Sequence, residues 1–250
     1  AAAVVAACVQ RRPDDLSLLI AERSIPGTPW SAVVAGVGRR ARGVGYHVDL
    51  ADDDQGSARI INRAVAELAR RRAHPEAARS SQPTWMVMIS EADRVDALAR
   101  RSDVYGFVDA PLGEQLGRLL DEGGEVGIHV LAAFASVAAA RVVMADRRLR
   151  DGFRHRVAMQ MSDDDSFAMV NSRAAARLQP DGPRPVAAVL FDRQDDRART
   201  FKPYTLSNDA TAAGGPEAAG EPSSASAGTF ADQVDLVFDR LARRRRELVA

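Results

Sequence analysis

The sequence predicts an α/β protein in which a mostly parallel sheet lies between two layers of helices. Short apolar runs of strand length alternate with longer segments whose apolar residues repeat at helical spacing. Strands of this kind are buried on both faces, and the connecting helices cover those faces. Hydrophobic residues make up 46% of the 250 residues, which is enough for a core of this kind.

The strand candidates are apolar runs bounded by loop signals such as Pro, Gly and Asp. In chain order they cover residues 16–20, 46–50, 84–90, 127–134, 154–161 and 185–192, and a last one at 200–206 is expected beside the sixth. The most apolar is TWMVMIS at 84–90. We expect residues 85–89, 128–134 and 156–159 to form buried strands of the parallel sheet.

The clearest helix candidate follows the aspartates at 52–54. Its apolar residues Ile61, Val65 and Leu68 share one helical face, with Arg and Glu on the other. Other helical segments cover residues 1–12, 30–42, 112–122, 136–150, 163–170 and 230–249. Residues 205–229 are rich in Ala, Gly, Ser and Pro, which predicts a flexible linker between a domain at 1–204 and a C-terminal helix at 230–250.

Composition excludes several classes of protein. Acidic and basic residues balance at 34 each, so no net charge directs the chain to nucleic acid or to a membrane surface. No apolar run approaches the roughly 20 residues that a transmembrane helix needs. Cys8 is the only cysteine, which excludes an internal disulfide and a cysteine-based zinc site. We therefore expect a cytoplasmic protein without a transmembrane segment.

Two runs of three aspartates, at 52–54 and 163–165, each separate a strand candidate from a helix candidate. Asp at a helix start accepts hydrogen bonds from free backbone N–H groups, and its charge suits the helix dipole. Carboxylates also bind magnesium. However, three consecutive aspartates cannot all point at one ion from a helix start. We therefore predict that both runs start helices and that neither holds a metal.

Other motifs of catalysis and cofactor binding fail on inspection. Residues 36–41 match a loose G-x-G-x-x-A, but the next strand begins too soon for the helix that a dinucleotide site needs. None of the four histidines, His47, His74, His129 and His155, has metal-ligand spacing. Of these, His47, His129 and His155 lie in strand-like runs and are expected at core or edge positions. No G-x-S-x-G motif is present. Lys202 is the only lysine and precedes a proline, so the chain contains no G-K-S/T phosphate-binding loop.

Residues 125–170 resemble the late part of the motor ATPase domain of the FtsK/SpoIIIE family, within the RecA-like P-loop ATPases. The shared motifs occur in the family's order: GIH at 127–129, RVAM at 156–159, DS at 165–166 and then FKPY at 201–204. The last of these is similar to the end of a branch of large, multi-domain FtsK-like proteins. The resemblance extends over residues 1–204 and implies a three-layer α/β/α fold with a mostly parallel sheet.

The resemblance also implies that the phosphate-binding loop lies upstream of Ala1. In this family the loop precedes a helix, and a strand then follows P-[DE]-[DE]-L. Residues 1–20 resemble the end of that helix and the strand after it. The chain then corresponds to a partial RecA-like domain, whose ATP and Mg²⁺ are bound mainly by residues that precede it. The alternative is a protein that has lost the loop.

Residues 84–90 stand where the family has the strand that ends in a magnesium-ordering aspartate, often followed by a water-polarising glutamate. Here Ser90 occupies the aspartate position and Glu91 follows it. The resemblance implies that Glu91 is the general base and that Ser90 brings no charge. The residues alone leave open that this pair simply starts the next helix. Phe134 stands near the polar sensor position, where a phenyl ring cannot sense a phosphate, so hydrolysis by this segment alone is not expected.

The resulting hypothesis is a segment of an ATP-driven motor acting on DNA, as a homo-oligomer or as one of several tandem ATPase domains. A degenerate, non-hydrolysing RecA-like structural or regulatory module is an alternative. A secretion-type ATPase that acts on protein substrates is another. The arginine-rich sequence at 240–249 is compatible with contacts to nucleic acid phosphates, although a solvated helix face also explains it.

Overall fold

The computed structural model describes residues 2–25, 29–74, 82–99, 112–179, 187–202 and 230–249. Its strands are β1 (Leu16–Glu22), β2 (His47–Ala51), β3 (Thr84–Ser90), β4 (Ile128–Ala132), β5 (His155–Ala158), β6 (Ala188–Asp192) and β7 (Arg197–Phe201). Its helices are α1 (Ala2–Gln10), α2 (Pro29–Gly43), α3 (Asp54–Ala73), α4 (Asp96–Ala99), α5 (Leu112–Glu122), α6 (Val137–Val143), α7 (Arg147–Gly152), α8 (Asp163–Val170) and α9 (Phe230–Val249). Within the ranges described, no helix combines the length and the apolar character that a membrane crossing requires.

The central sheet has four parallel strands in the order β2-β1-β3-β4. β1 and β3 occupy its middle, and every residue of β1 is buried, as is the second half of β3. Their sequences are continuous apolar runs because helices cover both faces of each strand. The strand predicted at 85–89 is confirmed as a central strand of a parallel sheet.

Helices cover both faces of this sheet, which confirms the three-layer α/β/α class. Successive side chains of a strand point to opposite faces. On one face, α3 and α5 pack against one set of strand residues; this core includes Ile61, Leu68, Leu116, Leu19, Val87 and Ile89. On the other face, α1, α2 and α9 pack against the intervening set; this core includes Val5, Val37, Phe238, Leu18, Ile20 and Met88.

In the part of the chain that the structure describes, β4 is an edge strand of the parallel sheet and pairs only with β3. Ile128 is its one buried residue, while His129 is exposed and the rest are half-buried. The strand ends at Ala132. The prediction of a buried strand through residue 134 is therefore wrong in two respects. The strand ends two residues earlier, and it is less buried than predicted because, among the described strands, it lies at the edge of the sheet.

The prediction that residues 156–159 form a buried strand of the parallel sheet is also wrong. A strand is present, but β5 belongs to a second, antiparallel sheet in the order β5-β6-β7. Ala158 is its one buried residue, whereas Val157 is 55% and Met159 41% exposed. The partner strand β6 lies beyond α8 in the sequence, so local periodicity did not show which sheet β5 would join.

The helix predicted at 136–150 is two short helices, α6 and α7, separated at residues 144–146. Asp146 caps α7, since its carboxylate accepts a hydrogen bond from the N–H of Arg148 at 2.7 Å. Such a cap starts a new helix.

β7 lies beside β6 as expected. The predicted linker at 205–229 lies outside the described residues, so the division into domain, linker and C-terminal helix stays a prediction.

Candidate functional site

Polar side chains come together where β1 and β3 end, at the carboxyl edge of the parallel sheet. Glu22 ends β1, Ser90 ends β3, and the two residues are partners in the parallel register. Ser24 lies two residues beyond Glu22, and Glu91 directly follows Ser90. Open α/β sheets bind ligands at this edge, so these four residues occupy the expected place for a site.

Glu91 has a left-handed backbone conformation, with φ 47° and ψ 60°. Residues other than glycine hold this conformation at a cost on the order of 1–3 kcal/mol, and they cluster at functional sites. The Glu91 side chain makes no capping hydrogen bond to the 3-10 turn Ala92–Arg94 that follows. Its carboxylate lies 3.5 Å from the Arg94 guanidinium and its side chain is 25% exposed. A capping role therefore does not explain Glu91.

Backbone hydrogen bonds fasten the Glu91 turn to the segment after β4. The N–H of Ala92 donates to the carbonyl of Ala133 at 2.9 Å. The N–H of Ala133 donates in turn to the carbonyl of Ile89 at 2.8 Å. The carboxylate of Glu91 is thus carried on a turn that two neighbouring strand ends hold in place.

Arg23 ties the end of β1 to the start of α3 and to the Glu91 turn. Its guanidinium donates to the carbonyl of Asp52 at 2.8 Å, to the carboxylate of Asp54 at 3.2 Å and to the carbonyl of Arg94 at 3.2 Å. The other oxygen of Asp54 accepts from the N–H of Asp96 at 3.0 Å. These bonds hold the segments next to Glu91 in place. They also occupy the Arg23 guanidinium with partners other than Glu22.

Glu22 and Ser24 are residues of this edge that the sequence analysis missed. Glu22 is 4% exposed, and its Oε1 accepts a hydrogen bond from the N–H of Ser24 at 2.8 Å. The hydroxyls of Ser24 and Ser90 are hydrogen-bonded at 3.2 Å. The available signal was an acidic residue at the end of an apolar run, since Ala21 and Glu22 extend the run at 16–20.

Phe134, near the expected polar sensor position, has an apolar environment. Its ring packs edge-on against Phe153, with centroids 6.4 Å apart and planes at 83°. It is half-buried and borders the core that α3 and α5 form. A pair of this geometry contributes about 0.5–1.5 kcal/mol beyond its buried area. The phenyl ring offers packing here and no hydrogen bond to a phosphate.

Both aspartate runs start helices, as predicted. In the first run, Asp53 caps α3, since its carboxylate accepts from the N–H of Gly56 at 2.5 Å. In the second, the cap is Ser162, whose Oγ accepts from the N–H of Asp165 at 3.2 Å, and the aspartates follow in the first turn of α8. Across the described ranges, no three His, Cys, Asp or Glu side chains come together in a group that could hold a metal ion.

Asp164→Ala combined with Asp165→Ala is expected to lower the free energy of unfolding by at most about 2 kcal/mol, because each such carboxylate at a helix start contributes about 0.3–1 kcal/mol. Urea denaturation measures this. Ser166→Ala is the matched comparison, since Ser166 is fully buried and its hydroxyl bonds Ser172 and Ala175 at 2.5 and 3.1 Å. A melting temperature that Ca²⁺ or Mg²⁺ raises in the wild type but not in the double variant would contradict the assignment of these aspartates to the helix start.

The G-x-G-x-x-A match, the histidines and Cys8 lie at positions that do not indicate a binding or catalytic site. Residues 36–41 lie inside α2, so the G-x-G-x-x-A match is not a nucleotide loop. The four histidines are exposed and far apart in the sequence: His47, His129 and His155 lie on β2, β4 and β5, and His74 directly follows α3. Burial raises the pKa of the Cys8 thiol to about 12. The thiol therefore stays protonated at neutral pH and is not a nucleophile.

The arginine-rich end of α9 lies on the surface. Arg243–Arg246 are exposed. Arg245 nevertheless donates to the carbonyl of Val44 at 2.5 Å, and nearer the start of the helix Asp235 pairs with Arg40 at 2.6 Å. These contacts dock α9 on α2 and its C-terminal loop.

No protein-family model and no curated protein sequence matches the chain. Among solved structures, the cytoplasmic domain of the type VII secretion ATPase EccC from Thermomonospora curvata aligns with a TM-score of 0.55 and 14% identity, over 92% of this chain and 24% of that one. A structure of its ATPases 2 and 3 with a signal sequence peptide aligns with a TM-score of 0.53 and 14% identity, over 96% and 39%. The pCW3 conjugation coupling protein TcpA, in its monomer form with ATPγS, aligns with a TM-score of 0.48 and 12% identity, over 76% and 60%.

The chain thus spans between 24% and 60% of the length of these solved proteins. Likeness at this level of identity concerns the fold. The two EccC alignments agree with the parallel sheet and its two helical layers. The chain therefore has the α/β fold of these solved ATPase structures, in agreement with the three-layer class predicted from the sequence.

Proposed function

We propose that this chain is part of an ATP-driven motor protein of the FtsK/SpoIIIE type that acts on DNA. The observation that carries the proposal is Glu91, a quarter-exposed carboxylate on a left-handed turn at the carboxyl end of a central strand. Ligands bind at this edge in open α/β sheets. The order of the sequence motifs at 127–129, 156–159 and 165–166 supports the same class of protein.

In this proposal Glu91 is the general base toward the water that attacks the nucleotide. A general base must lie within hydrogen-bond reach of the proton that it accepts, and the Glu91 side chain is 25% exposed. Mg²⁺ would neutralise developing charge on the phosphates. Ser90 offers a hydroxyl to that ion's water shell, and the neighbouring Glu22 has a buried carboxylate oxygen without a hydrogen-bond partner among the described residues.

ATP itself would be held mainly by residues that precede Ala1. The free edge of β4 supports this arrangement. Among the described strands β4 pairs only with β3, so its other edge is available to a further strand. Lys202, the only lysine of the chain, is exposed directly after β7 of the second sheet.

The 250-residue chain is expected to show no melting shift with millimolar Mg-ATP. Phosphate affinity in this class rests on the lysine and backbone N–H groups of a G-K-S/T loop. A ligand at 100 times its dissociation constant would stabilise the fold by about 2.7 kcal/mol, which a thermal melt registers. A longer protein that includes an upstream G-K-S/T motif is expected to shift, and its Lys→Ala variant is the control. A shift in the 250-residue chain would contradict the proposal, as would the absence of one in the longer protein.

A secretion-type ATPase that acts on protein substrates is the second candidate. The EccC alignments favour it, since one of them is a complex with a signal sequence peptide. The two candidates differ in whether double-stranded DNA or a peptide raises the ATPase rate of the longer protein. A non-hydrolysing module is the third candidate. Ser90 favours it because a hydroxyl lacks the charge of the expected aspartate, and Phe134 favours it because a phenyl ring lacks the polar group of a sensor residue. We propose a cytoplasmic location in each case, with the domain working in a homo-oligomer or beside further ATPase domains.

A further inference from the structure

Three buried polar residues form a small cluster at the carboxyl edge of the sheet, which we call the Glu22 cluster: Glu22, Ser24 and Ser90. They are 4%, 9% and 8% exposed. Oε1 of Glu22 accepts from the N–H of Ser24, and the Ser24 hydroxyl bonds the Ser90 hydroxyl. Oε2 of Glu22 is buried and has no hydrogen-bond partner among the described residues.

A buried carboxylate oxygen without a donor is unfavourable, because it has lost its water and gained nothing in exchange. The nearest cationic side chain in sequence, Arg23, does not relieve it, since its guanidinium bonds Asp52, Asp54 and Arg94. A local conflict of this kind is expected at functional sites, where it is resolved when a ligand binds. The unsatisfied oxygen therefore indicates that a cation or a proton donor completes the cluster.

We propose that Glu22 supplies the carboxylate that the edge lacks at Ser90, and that the Glu22 cluster holds the hydrated divalent cation accompanying the nucleotide. This inference rests on the proposed function. Glu22 and Ser90 are register partners on adjacent strands, so the carboxylate lies one strand away from the Ser90 position. Magnesium keeps several of its waters and binds proteins through one or two carboxylates. One carboxylate and two hydroxyls suit an ion bound through its water shell.

The Glu22 cluster alone holds a cation weakly. In the described parts of the chain no group of three acidic, His or Cys side chains is placed to hold a metal ion, and the nucleotide phosphates would supply the remaining oxygens. A probe that detects weak, local binding is therefore required. Mn²⁺ replaces Mg²⁺ at oxygen sites, and its unpaired electrons broaden the NMR signals of nearby amides.

The test is a titration of the isotopically labelled 250-residue chain with Mn²⁺ and no nucleotide. Amide signals of Ser24, Ser90 and Glu91 are expected to broaden first. Glu22→Gln, which keeps the size of the side chain, is expected to require about tenfold more Mn²⁺ for the same broadening, the lower end of the loss seen when a supporting group is removed at metal sites. Adding Ser90→Asp to Glu22→Gln is expected to restore the response, because it returns a carboxylate to the neighbouring strand.

Exposed carboxylates attract Mn²⁺ without forming a site, so a matched control is Asp164→Asn with Asp165→Asn at the start of α8. This control is expected to leave the broadening of Ser24 and Ser90 unchanged. Broadening that follows only the exposed aspartates, or that is the same in Glu22→Gln, would overturn the proposal. A Glu22→Gln response that Ser90→Asp does not restore would also overturn it. Because no nucleotide is present, these results are independent of whether the longer protein hydrolyses ATP.

Discussion

Arg71→Met is expected to lower the free energy of unfolding by about 3–5 kcal/mol, the range found when one partner of a buried ion pair is removed. Arg71 is 1% exposed and spreads its guanidinium over three segments of the chain. Nε donates to Glu67 at 2.7 Å, Nη1 to the carbonyl of Val126 at 2.8 Å and Nη2 to the carbonyl of Pro83 at 2.8 Å. Methionine fills much of the volume but makes none of these bonds.

The effect is large because of where these carbonyls lie. Pro83 directly precedes β3, and Val126 lies in the turn before β4, so one side chain of α3 fixes the amino ends of two neighbouring strands. The guanidinium also lies 5.6 Å from the ring centroid of Trp85, in a cation–π contact. Its loss leaves two backbone carbonyls without a donor, and buried groups left in this state are costly. Hydrogen bonds from Arg70 and Arg71 lower the pKa of the Glu67 carboxyl. After the substitution Glu67 keeps Arg70 as its partner.

The neighbouring arginines of α3 provide matched controls. The side chains of Arg70 and Arg72 are 53% and 56% exposed in their ion pairs, so replacing either by methionine is expected to cost no more than about 1 kcal/mol. Arg71→Lys should recover only part of the loss, because an ammonium group cannot reproduce the guanidinium fork. Urea denaturation followed by tryptophan fluorescence measures all four variants. An Arg71→Met protein within 1 kcal/mol of wild type would show that these buried bonds contribute no net stability.

The parallel sheet could be predicted because its central strands are buried on both faces. Continuous apolar runs such as 84–90 follow directly from that burial, and the helices between them show a helical period. β5 was assigned to the wrong sheet because it is covered on one side only, and its pairing with β6 depends on contacts across α8. A local apolar pattern reports that a strand buries a face, but it does not report which strand lies beside it.

The candidate site could be predicted only in part, as the sheet could. Ser90 and Glu91 were found because they follow the most apolar strand, where a parallel sheet places its ligands. The apolar run at 16–20 does not indicate Glu22, because the strand continues two residues beyond that run. Its proximity to Ser90 is a matter of register between strands that are far apart in the sequence. The left-handed conformation of Glu91 could not be foreseen either, because glutamate has no local preference for it.

If a longer protein with an upstream G-K-S/T motif is encoded, its Glu91→Gln variant is expected to bind ATP as its parent does. It is expected to hydrolyse ATP on the order of 10²–10⁴ times more slowly, the contribution of a positioned general base. Glutamine has the size of glutamate and tolerates the same turn, so the backbone at φ 47° and the bonds of Ala92 are kept. The substitution removes only the capacity to accept a proton from water. Single-turnover hydrolysis and nucleotide affinity, measured separately, distinguish a loss of chemistry from a loss of binding.

The matched control is Glu125→Gln, an exposed glutamate in the turn before β4, at the opposite end of the sheet. It carries the same chemical change away from the candidate site and is expected to leave both measurements unchanged. Arg94→Gln removes the other partner of the Arg94–Glu91 ion pair, whose atoms are 3.5 Å apart. If that pair only orients the Glu91 carboxylate, the hydrolysis rate should fall far less than in Glu91→Gln. A Glu91→Gln protein that hydrolyses ATP as fast as its parent would make Glu91 a residue of the turn alone. The strain at its backbone would then need another explanation, because its side chain caps no helix.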